Sequence, residues 1–199
     1  ISLTISQRII HWSLSIIFLE SQNFKNLTEK EYYKNMLIDS LIDETNYLLI
    51  RGTFLNKIKN NFFVSEVVSL LLSFEVLNNF YKISPIFKNI IKVLNEELKN
   101  FLKDSITEES YTNEGSVFYT NYIMETLALL HAIKNHTYDK HIINLLVYIY
   151  SISKNNKFIP DLGDSSYEHG LEIYDHKRNN RIKFDIFSYF FNSKENINT

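Results

Sequence analysis

The chain has 199 residues, with 21 Lys and Arg against 23 Asp and Glu, and its formal net charge is −2. This length is ample for one domain with a sizeable core, and a composition of 45% hydrophobic and 22% charged residues excludes a disordered chain. The nearly neutral balance excludes the broad basic field of non-specific nucleic-acid binding, and the absence of cysteine excludes disulfides, a thiol nucleophile and cysteine-based zinc sites.

Amphipathic helical patterns begin at the start of the chain. In the first pattern, apolar residues recur every three or four positions and define one helix face: Ile5, Ile9, Trp12, Ile16 and Leu19. Thr28 and Glu31 have the spacing of a capping box, which predicts the start of a second helix that runs to Leu48. A third helix is predicted to begin near Asn61. Its buried face consists of Val64, Val67, Val68, Leu71 and Phe74.

Three further helices follow in the middle of the chain. Ser84 and Pro85 have the order of an N-cap and an N1 proline, which predicts the start of a fourth helix. The polar run Asp104–Gly115 is a predicted loop. A fifth helix is predicted through Tyr119–Leu130, and a sixth through Ile142–Ile149.

The last quarter of the chain has a different pattern. Lys154–Asn180 contains two glycines and a proline and is predicted to be irregular, whereas Ile182–Phe191 is predicted to be a short helix. Long helices joined by shorter and longer loops are typical of antiparallel helical hairpins, so the predicted fold class is all-α. No run of the sequence approaches the roughly 18 consecutive apolar residues of a membrane span, so no membrane-spanning helix is expected.

Three polar segments interrupt the apolar pattern: Lys59–Phe63, Asn113–Tyr122 and Phe158–Ser165. Two consecutive Asn residues at a helix start are usually caps, a Tyr in the first turn of an apolar helix is usually half-buried, and an acidic, turn-rich segment is usually a surface turn. In a functional interpretation, Tyr119 aims its phenol into a cleft as a proton donor or base.

The order of these segments is more specific than any one of them. The first and third helices carry Gln7-Arg8-Ile9-Ile10-His11-Trp12 and the pair Asn60-Asn61 with Glu66. The fifth helix and the turn-rich segment carry Glu114, Ser116, Tyr119 and Glu125, and then Asp161, Gly163, Asp164 and Ser165. In this order, over most of the chain, the sequence resembles the N-terminal α/α-toroid domain of the heparinase II/III family of polysaccharide lyases.

The resemblance implies a single domain over residues 1–199, folded as an incomplete (α/α) toroid of antiparallel helical hairpins. It implies a bacterial lyase that cleaves uronic-acid polysaccharides, such as glycosaminoglycans or alginate, by β-elimination. In this family an Asn neutralises the uronate carboxylate and a Tyr moves protons, which assigns these catalytic roles to Asn61 and Tyr119. Asn60 and Glu114 would bind the substrate, and no cofactor or metal is implied.

The implied chemistry is physically coherent. A carboxylate beside C5 opposes enolate formation, because two negative charges are costly in a dry site, and a hydrogen-bonding amide offsets that cost. A phenol, with an ordinary pKa of about 10, needs the field of the site before it can act as a base. Since helix starts share one rim of a toroid, Asn61 and Tyr119 are predicted to face the same concave surface.

The sequence also departs from the family pattern. Phe62 stands where the family has the His of Asn-Asn-His, and Thr120 stands where it has the His of Tyr-His. Because the chain opens on Ile1, inside an amphipathic pattern, we expect a fragment of a longer protein. The resemblance implies that a β-sandwich domain of the same parent chain supplies a further catalytic His, and that the protein is periplasmic or associated with the cell surface.

Three functions are open on the sequence alone. The first is a lyase acting on an acidic polysaccharide, and the second is a non-catalytic scaffold or glycan-binding domain of the same helical fold. The third is a hydrolase that uses paired carboxylates drawn from Glu66, Asp161 and Asp164. With Phe62, Thr120 and no β-sandwich, the isolated chain is predicted to be nearly inactive as a lyase, because each missing acid or base typically costs about 10²–10⁴-fold.

Overall fold

The computed structural model describes residues 2–55, 59–106, 112, 116–134, 139–152, 172–175 and 180–183. The helices within these ranges are α1 (Ser2–Ser21), α2 (Leu27–Arg51), a 3-10 turn (Thr53–Leu55), α3 (Asn61–Leu77), α4 (Pro85–Ser105), α5 (Val117–Lys134) and α6 (Asp139–Ile152). The six predicted α-helices are thus confirmed in their order, and the described chain is mostly helical, as expected of the all-α class. None of the described helices is long and apolar enough to cross a membrane.

A short β-hairpin is a local departure from the elements predicted for the last quarter of the chain. Strands β1 (Glu172–Asp175) and β2 (Asn180–Lys183) pair antiparallel, with Ile173 opposite Ile182. The prediction that Lys154–Asn180 is irregular throughout is therefore wrong at β1, and the predicted last helix cannot begin at Ile182. Both strands place a β-branched Ile among polar residues, a pattern too short for helical periodicity to resolve.

The cap of α2 also differs from the prediction. Asn26, not Thr28, is the N-cap, and its Oδ1 accepts a hydrogen bond from the backbone N–H of Glu29 at 3.2 Å. The Asn26 amide also donates to Glu29 Oε2 at 3.3 Å. The predicted capping box at Thr28 and Glu31 is wrong because Asn26 and Glu29 have the same spacing two residues earlier, and Asn is the better cap.

The chain divides into two compact units, Ile1–Lys103 and Asp104–Thr199, and the expected single toroid domain stays a prediction. In the first unit, α3 is the interior helix and packs against α1, α2 and the 3-10 turn. Every residue from Phe63 to Phe74 is buried, so burial extends well beyond the one predicted face. The hydroxyls of Ser69 and Ser73 donate to carbonyls of α3 itself, both at 2.9 Å, which lets small polar side chains lie in this core.

Helix α4 packs along α3 in the antiparallel direction. The ring of Phe101, near the end of α4, lies 5.2 Å from that of Phe63, at the start of α3. Phe87, near the start of α4, lies 5.5 Å from Phe74, near the end of α3. The remaining buried residues of α4 are Leu94, Leu98 and Leu102. Burial of this single face explains why α4 is amphipathic, as the sequence predicted.

The second unit contains the α5–α6 hairpin and the strands β1 and β2. α5 and α6 contact each other, and both helices contribute apolar residues that are almost fully buried: Ile123, Leu127, Leu130, Ile142, Leu145 and Ile149. An isolated bridge also pairs Ile106 with Thr112, ahead of α5. This packing is the helical hairpin that the sequence predicted.

Candidate functional site

The two asparagines at the start of α3 have different surroundings. Asn60 is the N-cap in an extended conformation, and its Oδ1 accepts a hydrogen bond from the backbone N–H of Phe62 at 3.1 Å. Asn61 is the first helical residue, and its side chain is buried, with only 5% of the residue exposed. Phe62 is 39% exposed. The helix start is where the sequence predicted it, but Asn60 and Phe62 are more accessible than Asn61.

Lys59 fixes the start of α3 to α4. Its ammonium group forms an ion pair with Glu97 on α4 and lies 4.8 Å from the ring centroid of Phe63. Phe63 in turn contacts Phe101 of α4. The polar segment at 59–63 is therefore held by one ion pair, one cation–π contact and one aromatic contact, which together keep its backbone in a fixed position.

Glu66 is fully buried and serves as an anchor for the 3-10 turn. Its Oε1 accepts a hydrogen bond from the Thr53 hydroxyl at 2.9 Å, and its Oε2 accepts one from the backbone N–H of Phe54 at 2.7 Å. A buried carboxylate with a donor on each oxygen has a structural role that the sequence analysis missed. The close packing also explains the glycine at position 52, just before the 3-10 turn. A Cβ there would lie 2.6 Å from the Leu48 carbonyl oxygen.

The start of α5 repeats the capping chemistry with a hydroxyl. Ser116 Oγ accepts a hydrogen bond from the backbone N–H of Tyr119 at 3.2 Å. Tyr119 is half-buried, and its ring meets that of Phe118 edge to face, with the centroids 5.8 Å apart. The sequence correctly predicted Tyr119 in the first turn of an apolar helix.

Thr120 is only 1% exposed and lies inside its unit. Its hydroxyl donates to the carbonyl oxygen of Ser116 at 2.8 Å and lies 2.9 Å from the hydroxyl of Thr112. The side chain at position 120 therefore holds Thr112 against the first turn of α5. In this arrangement it cannot reach a substrate.

A second polar pair lies one turn further along α5. The buried amide of Asn121 donates to Glu125 Oε1 at 2.8 Å. Glu125 is among the residues that carry the family resemblance and Asn121 is not, although their i,i+4 spacing is the one that brings two helical side chains together. This hydrogen bond fixes the orientation of the Glu125 carboxylate, which lies on the same helix as Tyr119.

Several predicted site residues are not brought together by the described structure. Glu114 and the segment 161–165 lie outside the described residues. Asn61 belongs to the first unit and Tyr119 to the second, so their common concave surface stays a prediction. Among the described residues, no group of three or more His, Asp and Glu side chains is placed to hold a metal ion.

His141, in the first turn of α6, has a lowered pKa. Partial burial lowers the pKa of its imidazole below the ordinary value of 6.5, and the charge of Lys140 lowers it further. Burial disfavours the charged form, and a neighbouring cation does the same. The imidazole is therefore neutral at neutral pH, and protonation there opposes folding.

The sequence matches no model of a known protein family, and neither a curated protein nor a solved structure matches the chain. The resemblance to heparinase II/III lyases therefore rests on the order and spacing of the sequence motifs.

Proposed function

We propose that this chain is a heparinase II/III-like helical domain that binds uronic-acid polysaccharides and does not by itself catalyse β-elimination. The supporting observation concerns the residues that stand at the two positions where the family has a motif His. Thr120 is buried and hydrogen-bonded to Ser116 and Thr112, and Phe62 is an exposed aromatic residue. Neither side chain can exchange a proton with a substrate near neutral pH.

The same end of α3 retains groups suited to a sugar. Phe62 offers an exposed aromatic ring, and the amide of the half-buried Asn60 lies two residues before it. Asn61 is covered, so its amide could neutralise a uronate carboxylate only after its neighbours moved. Binding through Asn60 and Phe62 requires no such movement.

A second candidate is elimination by Asn61 and Tyr119. It is favoured by the half-buried Tyr119 in the first turn of α5, whose phenol is the group to which the resemblance assigns proton transfer. Tyr119 would remove the C5 proton and return one to the leaving glycosidic oxygen, so that the C5–H and C4–O bonds break and a C4–C5 double bond forms. By the resemblance, a His from a β-sandwich of the parent chain would complete this site in the periplasm or at the cell surface.

One experiment separates the two candidates. The chain is incubated with heparan sulfate, hyaluronan and alginate, while binding is followed by titration calorimetry and product by the absorbance of the unsaturated uronate. Binding without product is the expected result. Product that disappears in Tyr119→Phe but persists in Tyr81→Phe, a Tyr in the turn before α4 that is 52% exposed, would establish elimination instead. If no polysaccharide binds, the proposal is wrong.

A further inference from the structure

One face of α4 carries a line of four lysines, Lys88, Lys92, Lys99 and Lys103, here called the lysine stripe. All four are exposed. At about 100° per residue they fall within a sector of about 60°, and at about 1.5 Å per residue they extend over about 22 Å. The buried residue Leu98 lies on the other side of the helix.

The lysine stripe is only weakly compensated by carboxylates. Lys99 pairs with Glu96 at 3.1 Å, but both side chains are about half exposed, and such pairs contribute little. Glu97, the neighbouring acid, pairs with Lys59 at the start of α3 and so lies on another side of α4. Within the part of the chain that the structure describes, Lys88, Lys92 and Lys103 form no ion pair. A chain with a net charge of −2 thus presents a line of four exposed lysines with one acid, Glu96, at its edge.

We propose that the lysine stripe is a binding surface for a linear acidic polysaccharide, whose carboxylates or sulfates contact successive lysines along α4. This inference rests on the proposed function for its ligand class, and it adds a surface separate from Asn60 and Phe62. Glu97 and Phe101 face the start of α3, whereas the lysines project from the opposite side of the helix.

The charge of the chain and the surroundings of the lysine stripe favour this ligand over other polyanions. Nucleic-acid-binding domains combine such a line of cations with a strongly basic overall charge, whereas this chain has a net charge of −2. A helix that lies in a membrane surface buries apolar side chains beside its lysines. The exposed apolar residues of α4, Ile86 and Val93, lie more than about 100° around the helix from the centre of the lysine stripe.

The test compares two variants that each remove four positive charges. The stripe variant is Lys88→Gln, Lys92→Gln, Lys99→Gln and Lys103→Gln, since Gln preserves helix propensity. The control variant changes exposed cations outside α4: Lys25→Gln, Arg51→Gln, Lys82→Gln and Lys140→Gln. Binding to heparan sulfate is measured at several salt concentrations, and circular dichroism confirms that each variant is folded. If the stripe variant does not fold, the two halves of the substitution, at 88 and 92 and at 99 and 103, are measured separately.

The stripe variant is expected to bind at least about tenfold more weakly, and its salt dependence should fall by up to about 0.7 per lost contact, as for single-stranded polyanions. The control variant should bind like the unchanged chain. Unchanged binding by the stripe variant, or equal weakening of both variants, would overturn the stripe and leave the proposed function intact. If the unchanged chain binds none of the three polysaccharides but binds single-stranded DNA or phosphatidylserine vesicles through the stripe, the ligand class is wrong and the proposed function fails with it.

Discussion

Helices α3 and α4 follow each other in the chain and differ strongly in their exposure to solvent. α3 is buried on every side from Phe63 to Phe74, while α4 buries one face and exposes the other. Chemistry on α3 is therefore confined to its ends, at Lys59, Asn60 and Phe62, whereas α4 can present a whole side to a ligand. The contrast shows why the two proposed binding surfaces have different forms: one is a helix end and the other a helix face.

The largest expected effect on stability comes from a matched pair of side-chain truncations, one in α3 and one in α4. Leu71→Ala in α3 removes a side chain that is 1% exposed, and such core truncations cost about 2–5 kcal/mol. Val93→Ala in α4 removes one that is 59% exposed and should change stability by less than about 0.5 kcal/mol. Urea unfolding followed by circular dichroism measures both. Similar shifts in the two variants would show that α3 is not the interior helix.

The next largest effect on stability is expected from removing a buried acid of α3, Glu66, compared with an exposed acid of α4, Glu96. Glu66→Ala leaves the Phe54 N–H and the Thr53 hydroxyl without their acceptor and should cost about 1–3 kcal/mol. Glu96→Ala, on the outer face of α4, removes an exposed ion pair and should have almost no effect. A small loss at Glu66 would mean that the 3-10 turn is not anchored by this carboxylate. The measurement is the free energy of unfolding in urea.

The sequence predicted those features that depend on local spacing. Six helices, the start of α3 at Asn61, the Pro85 start of α4 and Tyr119 in the first turn of α5 all follow from capping and periodicity. Two consecutive Asn residues at a helix start favour a cap, and Asn60 is the N-cap of α3.

Features that depend on residues distant in the chain could not be predicted in this way. Glu66 finds its partners 12 and 13 residues earlier, and Lys59 finds Glu97 38 residues later. Burial of α3 on all sides also depends on four neighbouring elements, α1, α2, the 3-10 turn and α4, while periodicity reports one face of a helix. The lysine stripe is visible in the spacing of the sequence, but its meaning depends on Glu97 pairing elsewhere.

An Asn→Ala substitution should have a smaller effect on stability, with opposite signs at the start of α3 and on the exposed face of α4. Asn60→Ala removes the N-cap of α3 and should cost about 1 kcal/mol, while Asn60→Ser retains an acceptor and should restore most of it. Asn100→Ala, at an exposed position of α4, should instead stabilise by a few tenths of a kcal/mol, because Ala is the better helix former. Unfolding midpoints in urea provide the comparison. A destabilised Asn100→Ala would indicate an unrecognised contact on that face.

The smallest expected effect is a pH dependence at the turn between α3 and α4. Lys34 lies 5.6 Å from the ring of Phe80 in that turn and bonds to Glu31 at 2.7 Å and Glu20 at 2.9 Å. The hydrogen bond from Lys34 lowers the pKa of Glu20 below 4.5, and the bonds to Glu31 and Glu20 raise the pKa of Lys34 above 10.5. Stabilisation by Glu20 is thus present above pH 4.5 and is lost as the pH falls through its folded-state pKa.

Stabilisation by Lys34 has the opposite sign, since it is complete below pH 10.5 and is lost as the pH rises through its folded-state pKa. Glu20→Gln should therefore be less stable than the unchanged chain near neutral pH, by about 0.2–1 kcal/mol because the carboxylate is nearly half exposed. Below pH 4.5 the difference should shrink towards zero. Glu96→Gln, in the exposed pair on α4, is the matched control and should show a smaller difference, since Lys34 is 12% exposed and Lys99 is 45% exposed. If the two variants have the same pH dependence, the contacts of Lys34 with Glu20, Glu31 and Phe80 stabilise the protein no more than an exposed surface ion pair does.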